Sequence, residues 1–315
     1  MADLDTIYLH VTGRCPFSCS YCYLDGAITT ELEMSTEDWL AFFPQIVDQN
    51  PRKVVITGGE PLMRGDLLVL LRGFRQLDRN HKIELALDTS GIGLTEELAR
   101  IMAGVVDRVR VSIDGPEKVN DKQRSSGSYS AALTALRNLI TAGFEPEAGV
   151  TLTTNNIKSL TAFVEQLTDM GCMNISISSL RPIGGAESHP EWVPRLEEMR
   201  AAVNSVRNSL GLPEPREQIT GNTCGVGRYL SILPDGSVFP CHVLHLPEFK
   251  LGNINTDTLE NIHSPGSMLS RLAELNIREL SRKYPDLTDL KELDVCMGHV
   301  YRNSPSHQAW RNMLK

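Results

Sequence analysis

The sequence predicts an α/β fold whose centre is an open or partial barrel of parallel strands. Six short runs rich in β-branched residues alternate with longer stretches in which apolar residues recur at helical spacing. Strands that alternate with helices in this way form parallel sheets through right-handed crossovers. Because six units fall short of the eight that close a barrel, we expect a partial (β/α)6 barrel. The runs occupy residues 7–12, 53–58, 83–90, 109–114, 148–154 and 174–179.

Five of the intervening stretches predict helices that return the chain to the start of the next strand. They lie near residues 36–48, 65–78, 94–104, 128–142 and 157–169. In such a barrel the loops that follow the strands share one face, and that face carries the active site. Functional residues are therefore expected directly after the predicted strands.

The alternation of strands and helices ends near residue 184, and the composition then changes. A helical stretch at 193–210 is followed by residues 211–222, which are rich in Pro, Gly and polar side chains. We expect a domain boundary here, with the barrel at 1–210 and a smaller α+β domain at 211–315.

The C-terminal part begins with a predicted β-hairpin. Residues 229–244 contain two strand-like runs around an Asp-Gly turn, which is a strong local signal for a hairpin. Helical patterns follow at 257–264 and 266–280. The second domain is therefore expected to combine a hairpin with helices.

Composition and charge exclude several classes of function. The chain has 315 residues, 41% hydrophobic content and a formal net charge of −8. It can bury a large core, but its acidic surface does not attract nucleic acid or an anionic membrane. The sequence shows neither a signal peptide nor an apolar run long enough to span a bilayer. We expect a cytoplasmic protein without nucleic-acid or membrane partners.

The strongest chemical signal is a group of three cysteines directly after the first predicted strand. Cys15, Cys19 and Cys22 are three of the seven cysteines, and their close spacing does not suit a disulfide framework. Structural zinc sites usually use two ligand pairs that are far apart in sequence. A cubane iron–sulfur cluster with three thiolate ligands keeps one iron open to another ligand. The cluster is therefore favoured, and zinc or unliganded structural thiols are the alternatives.

The spacing Cys-x3-Cys-x2-Cys, with Tyr21 before the last cysteine, resembles the signature of the radical S-adenosylmethionine (SAM) enzymes. This resemblance implies the partial barrel of that family and a [4Fe–4S] cluster that binds SAM. It also implies reductive cleavage of SAM to a 5′-deoxyadenosyl radical, which abstracts a hydrogen atom from a C–H bond. A flavodoxin- or ferredoxin-type electron donor is the partner expected for this chemistry.

Residues 57–64 resemble the Gly-Gly-Glu-Pro segment that follows the second strand in this family. By that resemblance Gly58, Gly59 and Glu60 would contact the methionine amino group of SAM. Adjacent glycines let the backbone approach a ligand closely, and a glutamate can neutralise an ammonium group. Without the cysteine motif, the same residues would equally suit an ordinary turn.

Three more residues resemble SAM contacts at or after the ends of the third and fourth strands. By that resemblance Ser112 would face the ribose and Arg124 would bind the carboxylate, for which an arginine fork is a natural partner. Ser90 is a second candidate for the ribose. The alternatives are an inward-facing barrel residue for Ser112 and a solvated loop charge for Arg124.

The segment 224–241 resembles the start of the auxiliary-cluster module that is called twitch in its short form and SPASM in its long form. Cys224 and Cys241 flank the predicted hairpin, and the resemblance implies that both bind an auxiliary cluster. A complete SPASM module would supply a later Cys-x2-Cys-x5-Cys-x3-Cys run, whereas only Cys296 follows here. The sequence therefore predicts one auxiliary [4Fe–4S] cluster with three cysteine ligands.

Two features of this auxiliary cluster stay open. Its fourth ligand is either a non-cysteine side chain, with His242 and His299 nearest in sequence, or a substrate bound to an open iron. Cys296 is either a ligand or a thiol that returns a hydrogen atom to a substrate radical, which would make the enzyme an epimerase. Cys172, at the start of the sixth strand, is interpreted as a core residue.

The sequence supports two hypotheses for the substrate. The first is a ribosomally made peptide that is oxidised, crosslinked or epimerised, with a separate peptide-recognition protein as a further partner. The second is a small molecule, in which a carbinol carbon of an aminoglycoside or another sugar-derived natural product is epimerised or dehydrogenated. This second hypothesis suits an acidic protein and the absence of a recognition domain before Cys15. A non-catalytic iron–sulfur or zinc protein is the competing class, and the peptide is favoured.

Overall fold

The computed structural model describes residues 4–25, 32–212 and 226–273. Within these ranges the chain forms one nine-stranded sheet with helices packed against it. The strands are β1 (Thr6–His10), β2 (Lys53–Thr57), β3 (Glu84–Thr89), β4 (Arg108–Ser112), β5 (Glu147–Leu152), β6 (Asn174–Ser179), β7 (Tyr229–Ile232), β8 (Ser237–Phe239) and β9 (Gly252–Asn253). Their order across the sheet is β6-β5-β4-β3-β2-β1-β7-β8-β9.

The first six strands form the predicted parallel sheet. Each strand from β1 to β5 pairs in parallel with the next strand of the chain, up to β6. Side chains alternate along each strand, as β4 shows. Val109 and Val111 belong to the hydrophobic core, whereas Arg110 and Ser112 line an interior cavity. The barrel therefore has an apolar face towards the helices and a polar face towards the cavity.

The predicted helices are confirmed wherever the structure describes their residues. The predicted stretch at 266–280 is described only as far as residue 273. The helices are α1 (Thr36–Gln49), α2 (Leu67–Leu77), α3 (Glu96–Met102), α4 (Glu117–Gln123), α5 (Ser128–Thr141), α6 (Leu160–Asp169), α7 (Leu196–Ser209), α8 (Leu259–Ile262) and α9 (Met268–Ala273).

Helix α1 shows how local sequence sets these elements. It begins after Ser35, whose side chain accepts a hydrogen bond from the backbone N–H of Asp38 and so caps the helix. Its buried face is aromatic and includes Trp39 and Phe43. The Phe43 ring meets that of Phe74 on α2 edge to face, with 5.5 Å between the ring centroids. The cap and the apolar spacing together define this helix.

Helix α4 is a helix that apolar periodicity does not predict. Val119 is the one large apolar residue in its sequence, so the helix has no apolar stripe. Its buried residues are Asn120 and Gln123. The side-chain oxygen of Asn120 accepts a hydrogen bond from the backbone N–H of Asp114 at 2.9 Å. Polar contacts with the end of β4 therefore help to place this helix.

The predicted hairpin is confirmed, and it continues the barrel sheet. Strands β7 and β8 are antiparallel, and Gly236 in the Asp-Gly turn between them has a φ of 82°. Strand β7 also pairs in parallel with β1, starting with Tyr229 opposite Thr6. Strand β9, which was not predicted, pairs with the outer edge of β8. The sheet thus runs without a break from the barrel into the C-terminal part.

A buried polar bridge joins β1 to the hairpin. The hydroxyl of Ser231 on β7 lies 2.9 Å from Nε2 of His10 on β1 and 2.8 Å from Nε2 of His245. Burial lowers the pKa of His10 well below its usual value and that of His245 to about 3. Both rings are therefore neutral at pH 7, and one hydroxyl is hydrogen-bonded to both of them.

The position of Cys172 and the lengths of the helices bear on two expectations from the sequence. Cys172 is fully buried at the start of β6 and belongs to the hydrophobic core, which confirms the prediction. No helix in the described ranges is long and apolar enough to cross a membrane.

Replacing Ser231 by Ala should destabilise the protein by about 1–3 kcal/mol, because two buried imidazole nitrogens would lose their shared hydrogen-bond partner. Urea unfolding followed by circular dichroism measures this change. Ser209→Ala, at an exposed position near the end of α7, is the matched control and should shift the free energy of unfolding by less than about 0.5 kcal/mol. Equal stability of the two variants would rule out the bridging role.

Candidate active site

A large cavity opens at the carboxyl ends of the barrel strands. Its volume is about 1070 Å³, at the upper end of the range for small-molecule sites. Its wall combines the cysteine loop, the ends of the barrel strands and residues that follow β8. The predicted site residues that line it are Cys15, Cys19, Tyr21, Cys22, Gly58, Gly59, Ser90, Ser112 and Arg124.

The cysteine loop, residues 13–25, contains no helix or strand and is held by contacts with neighbouring segments. Its first part lies against the turn after β2. The N–H groups of Gly59 and Glu60 donate to the carbonyl oxygens of Thr12 and Arg14, both at 2.8 Å. A Cβ atom added to Gly59 would lie 2.7 Å from the carbonyl carbon of Arg14. The two backbones therefore meet at a distance that only glycine permits.

The middle of the loop is fixed by residues at and just after the end of α4. The N–H of Ser18 donates to the hydroxyl of Ser125 at 2.8 Å, and the N–H of Ser20 donates to the carbonyl oxygen of Gln123 at 2.9 Å. Helix α4, which periodicity did not predict, is thus part of the support of the loop.

A second pair of adjacent glycines holds the last part of the loop. The N–H of Gly185 donates to the carbonyl oxygen of Cys22 at 2.9 Å. An added Cβ would lie 2.5 Å from this same oxygen at Gly184, and 2.7 Å from the carbonyl oxygen of Ser20 at Gly185. Sequence reasoning missed this contact, although adjacent glycines are a readable signal for close backbone approach.

Arg124 binds a buried carboxylate instead of facing solvent. Its Nε and Nη2 atoms donate to the two oxygens of Asp114 at 2.7 and 3.0 Å. Burial alone favours a neutral guanidinium, but the Asp114 charge outweighs this effect and raises the pKa of Arg124 above its usual value. The alternative of a solvated loop charge is therefore wrong. Arg124 lines the cavity, and its contact with SAM stays a prediction.

Glu60 supports the cavity wall from behind. Its carboxylate is buried and accepts hydrogen bonds from the hydroxyl of Thr89 and the N–H of Ser90, both at 2.7 Å. The Ser90 hydroxyl donates to the same carboxylate. Glu60 thereby links the turn after β2 to the end of β3 and orients Ser90 at the cavity. Its predicted contact with the SAM ammonium group stays a prediction.

The ionisation of the three loop thiols is shifted by burial. Burial raises the pKa of Cys15, Cys19 and Cys22, and that of Cys19 reaches about 11. The thiols are therefore protonated at neutral pH when no metal is bound. Because thiolates are the metal ligands, binding a metal would release these protons.

The floor of the cavity carries a charged network that sequence reasoning missed. Arg110 on β4 lies 3.6 Å from the carboxylate of Asp88 on β3 and 3.2 Å from that of Glu147 on β5. Its Nε also donates to the hydroxyl of Ser176 on β6 at 3.2 Å. Gly149 leaves room for this reach, because a Cβ there would lie 2.5 Å from Nε. Arginine at an inward position between two buried valines is the signal that could have revealed the network.

The predicted auxiliary residues that the structure describes lie directly after β8. Cys241 is buried, and its sulfur atom lies 3.9 Å from Nδ1 of His242. The His242 ring lines the cavity and lies 4.5 Å from the ring of Tyr8. Burial lowers the pKa of His242 to about 4, so the ring is neutral at pH 7. The predicted auxiliary residues that fall outside the described ranges are Cys224, Cys296 and His299.

The groups at the cavity wall fit an iron–sulfur cluster with SAM. Among the described residues, no three His, Cys, Asp or Glu side chains lie close enough to hold a single metal ion. In a cubane cluster each thiolate binds a different iron, so the three sulfur atoms do not have to converge on a single ion. Beside the thiols, the wall offers serine hydroxyls, a guanidinium and the backbone of Gly58 and Gly59. These groups suit the ribose, the carboxylate and the ammonium of SAM.

Comparison with known protein families gives two matches. The radical SAM superfamily matches residues 9–170, and an iron–sulfur cluster-binding domain, SPASM, matches residues 224–287. The chain therefore belongs to the radical SAM superfamily. It is an enzyme of this family that uses a [4Fe–4S] cluster and SAM, and its C-terminal part carries an auxiliary iron–sulfur module.

Individual proteins are similar over most of the chain. PqqA peptide cyclase of Rhizobium meliloti is 28% identical over 283 residues, which cover 80% of this chain and 71% of that protein. Mycofactocin maturase MftC of Mycolicibacterium smegmatis is 28% identical over 284 residues, which cover 84% and 71%. The structure of SuiB from Streptococcus suis bound to precursor peptide SuiA superposes with a TM-score of 0.72 at 14% identity, covering 96% of this chain and 73% of that one. This likeness confirms the predicted fold.

Replacing Gly185 by Ala should displace the loop around Cys22, because the added methyl group would overlap the carbonyl oxygen of Ser20. We expect reduced iron binding after anaerobic reconstitution and a stability loss of about 1–3 kcal/mol. Iron analysis and thermal unfolding measure the two effects. Gly65→Ala is the matched control, because no atom lies within 4 Å of its Cβ position. Wild-type iron content in Gly185→Ala would show that the loop does not need this contact.

Alkylation of Cys19 in the metal-free protein should still accelerate as the pH approaches about 11, because burial raises the pKa of its thiol to about that value. Cluster assembly should accelerate from about pH 7 to 9 for the same reason. Iodoacetamide labelling followed by mass spectrometry gives the rate at Cys19. Glutathione in the same reaction is the control and should reach its maximum rate at a lower pH. A profile for Cys19 that coincides with glutathione would contradict the raised pKa.

Proposed function

We propose that this protein is a radical SAM peptide maturase that abstracts a hydrogen atom from a C–H bond of a ribosomally made peptide. The observation that carries the proposal is the common cavity lined by the thiols of Cys15, Cys19 and Cys22 and by the predicted SAM contacts. The cavity lies at the end of the barrel where enzymes of this architecture bind their substrates.

In this proposal Cys15, Cys19 and Cys22 hold the [4Fe–4S] cluster, and the loop geometry serves that task. Backbone hydrogen bonds hold the loop at its first, middle and last parts, so the surrounding fold positions the three thiols. When the cluster and SAM are bound, they supply the electron and the 5′-deoxyadenosyl radical for hydrogen abstraction. The chain itself positions the reacting groups and keeps them from water.

The SAM molecule is held by the wall between the cysteine loop and the strand ends. Arg124 binds its carboxylate, since this side chain is charged and faces the cavity. The hydroxyls of Ser90 and Ser112 bind the ribose. The backbone of Gly58 and Gly59 receives the ammonium group. Glu60 contributes its negative charge and orients the end of β3, while Tyr21 fixes the loop.

A peptide is the substrate that the relatives favour. One relative is a peptide cyclase and another is a maturase, and the similar SuiB structure holds a precursor peptide. The charged floor formed by Asp88 and Arg110 supplies an acceptor and a donor for polar peptide groups. None of these three proteins favours the aminoglycoside alternative, and we do not retain it.

The auxiliary module completes the reaction. We assign Cys224, Cys241 and Cys296 as ligands of one auxiliary [4Fe–4S] cluster. Cys241 adjoins His242, which lines the cavity, so the auxiliary site borders the substrate. Oxidation or crosslinking requires an electron acceptor near the substrate, and this is the chemistry that an auxiliary cluster supplies when bound. If Cys296 is instead free, its thiol is the hydrogen donor for an epimerisation.

The remaining elements of the proposal concern partners and organisation. A flavodoxin- or ferredoxin-type protein supplies the electron, and a separate recognition protein presents the peptide. The cytoplasm is the proposed location. The boundary between the barrel domain and the auxiliary domain follows residue 210, and the continuous sheet connects the two.

The variant in which Cys15, Cys19 and Cys22 are all replaced by Ala should form no 5′-deoxyadenosine from SAM, because the cluster loses its three thiolate ligands. The assay uses anaerobically reconstituted protein, dithionite and chromatography. Cys172→Ala removes a core thiol away from the cavity and is the matched control, which should retain SAM cleavage. Formation of 5′-deoxyadenosine by a folded triple variant would show that these three cysteines do not hold the cluster that cleaves SAM.

The peptide substrate is tested with short peptides encoded beside the gene. A peptide deuterated at the reacting carbon should transfer deuterium into 5′-deoxyadenosine, and mass spectrometry reports both products. Deuterium transfer from a sugar-derived compound in place of every such peptide would overturn the substrate class but leave the radical chemistry intact.

A further inference from the structure

We propose that Asp114 is a positioning residue that orients Arg124 and the cysteine loop together and so couples SAM binding to the cluster. The inference rests on the proposed function, in which Arg124 binds SAM and the cysteine loop holds the cluster. Asp114 itself belongs neither to the cysteine motif nor to the predicted SAM contacts. Asp114 lies just beyond the end of β4, after Ile113, and contacts both parts of the site.

The carboxylate of Asp114 is fully buried and has a complete set of donors. Its side chain has 0% exposure. One oxygen accepts from Nη2 of Arg124 at 3.0 Å and from the N–H of Thr151 at 2.9 Å. The other oxygen accepts from Nε of Arg124 at 2.7 Å and from the hydroxyl of Tyr21. One side chain thus ties together β4, β5, the segment after α4 and the cysteine loop.

The geometry decides which edge of the Arg124 guanidinium is free. A guanidinium has five N–H donors, and Asp114 takes the one on Nε and one on Nη2. Both N–H groups of Nη1 and the second N–H of Nη2 remain for another acceptor. Because Arg124 also lines the cavity, we infer that these groups receive a second carboxylate there. The ion pair with Asp114 therefore prepares Arg124 for the carboxylate of SAM and does not compete with it.

The cysteine loop shares the same carboxylate through Tyr21. This residue directly precedes Cys22, and its hydroxyl donates to the oxygen that also accepts from Nε of Arg124. The guanidinium carbon of Arg124 lies 5.5 Å from the centre of the Tyr21 ring, within the range of a cation–π contact. A change in the position of Asp114 would therefore move the SAM-binding arginine and the loop that carries the thiols.

The variant Asp114→Asn separates this role from simple packing. An asparagine has nearly the same shape as an aspartate. However, its NH2 group would replace one of the two accepting oxygens and would point its own donors at the donors that now bind that oxygen. It would also leave the Arg124 charge buried without its counter-ion. We expect the dissociation constant for SAM to rise at least about tenfold in Asp114→Asn, and we expect the change that SAM causes in the electron paramagnetic resonance (EPR) spectrum of the reduced cluster to be altered.

A double-mutant cycle tests the coupling to the loop. Tyr21→Phe removes one hydroxyl and should weaken SAM binding by a smaller factor, about threefold. In Tyr21→Phe/Asp114→Asn the SAM dissociation constant should equal that of Asp114→Asn alone, because the hydroxyl acts through Asp114. If the two substitutions instead raise the SAM dissociation constant by factors that multiply in the double variant, they act independently and the coupling is overturned. If Asp114→Asn does not fold, Tyr21→Phe decides alone: wild-type SAM affinity and an unaltered EPR response would overturn the inference.

Asp121→Asn is the matched control. Asp121 lies in α4 and accepts from the N–H groups of Gly127 and Tyr129 at 2.7 and 2.8 Å, so it stabilises the same segment without touching the loop. Asp121→Asn should leave the SAM dissociation constant unchanged. If it weakens SAM binding as much as Asp114→Asn does, Asp114 has only a general structural role. A wild-type protein that binds neither cluster nor SAM overturns the proposed function and this inference together. Wild-type binding with unchanged affinity in Asp114→Asn overturns the inference alone.

Discussion

The site depends on the attachment of a loop that has no regular secondary structure of its own. The cysteine loop must hold three thiols in place, yet it forms no helix or strand. Contacts from three strand ends replace that missing structure: Gly59 after β2, Asp114 after β4 and Gly185 after β6. Strands β2 and β6 are separated in the sheet by β3, β4 and β5. The loop is therefore stretched across the mouth of the barrel, and the barrel determines where its thiols lie.

The polar interior of the barrel follows from the same arrangement. Closed eight-stranded barrels fill their interior with branched apolar side chains, whereas this partial barrel leaves a cavity lined by charged and hydroxyl groups. Burying an isolated charge is costly, but Arg110 lies between the carboxylates of Asp88 and Glu147, which offsets much of that cost. The floor is thus stable without a ligand, and it keeps polar groups available for the substrate.

Local sequence patterns predicted most of the strands and helices, whereas contacts between distant segments could not be predicted. Apolar periodicity identified the six parallel strands and most helices, because each pattern is complete within a short window. It missed α4, which is placed by polar contacts, and it could not reveal that β7 pairs with β1, because these strands are far apart in the chain. At the site, the cysteine spacing identified the loop. The supporting roles of Asp114 and Gly185 depend on contacts between distant segments, which a single sequence does not display.

The pairing of β7 with β1 has a consequence for the two halves of the site. Strand β1 leads into the cysteine loop, and the hairpin that begins with β7 leads to Cys241. Backbone hydrogen bonds fix the register of β1 against β7, and the hydroxyl of Ser231 links the His10 ring on β1 to that of His245 beyond the hairpin. The segments that carry the loop thiols and Cys241 are therefore both attached to one continuous sheet. The same sheet therefore positions both sites relative to a substrate in the cavity.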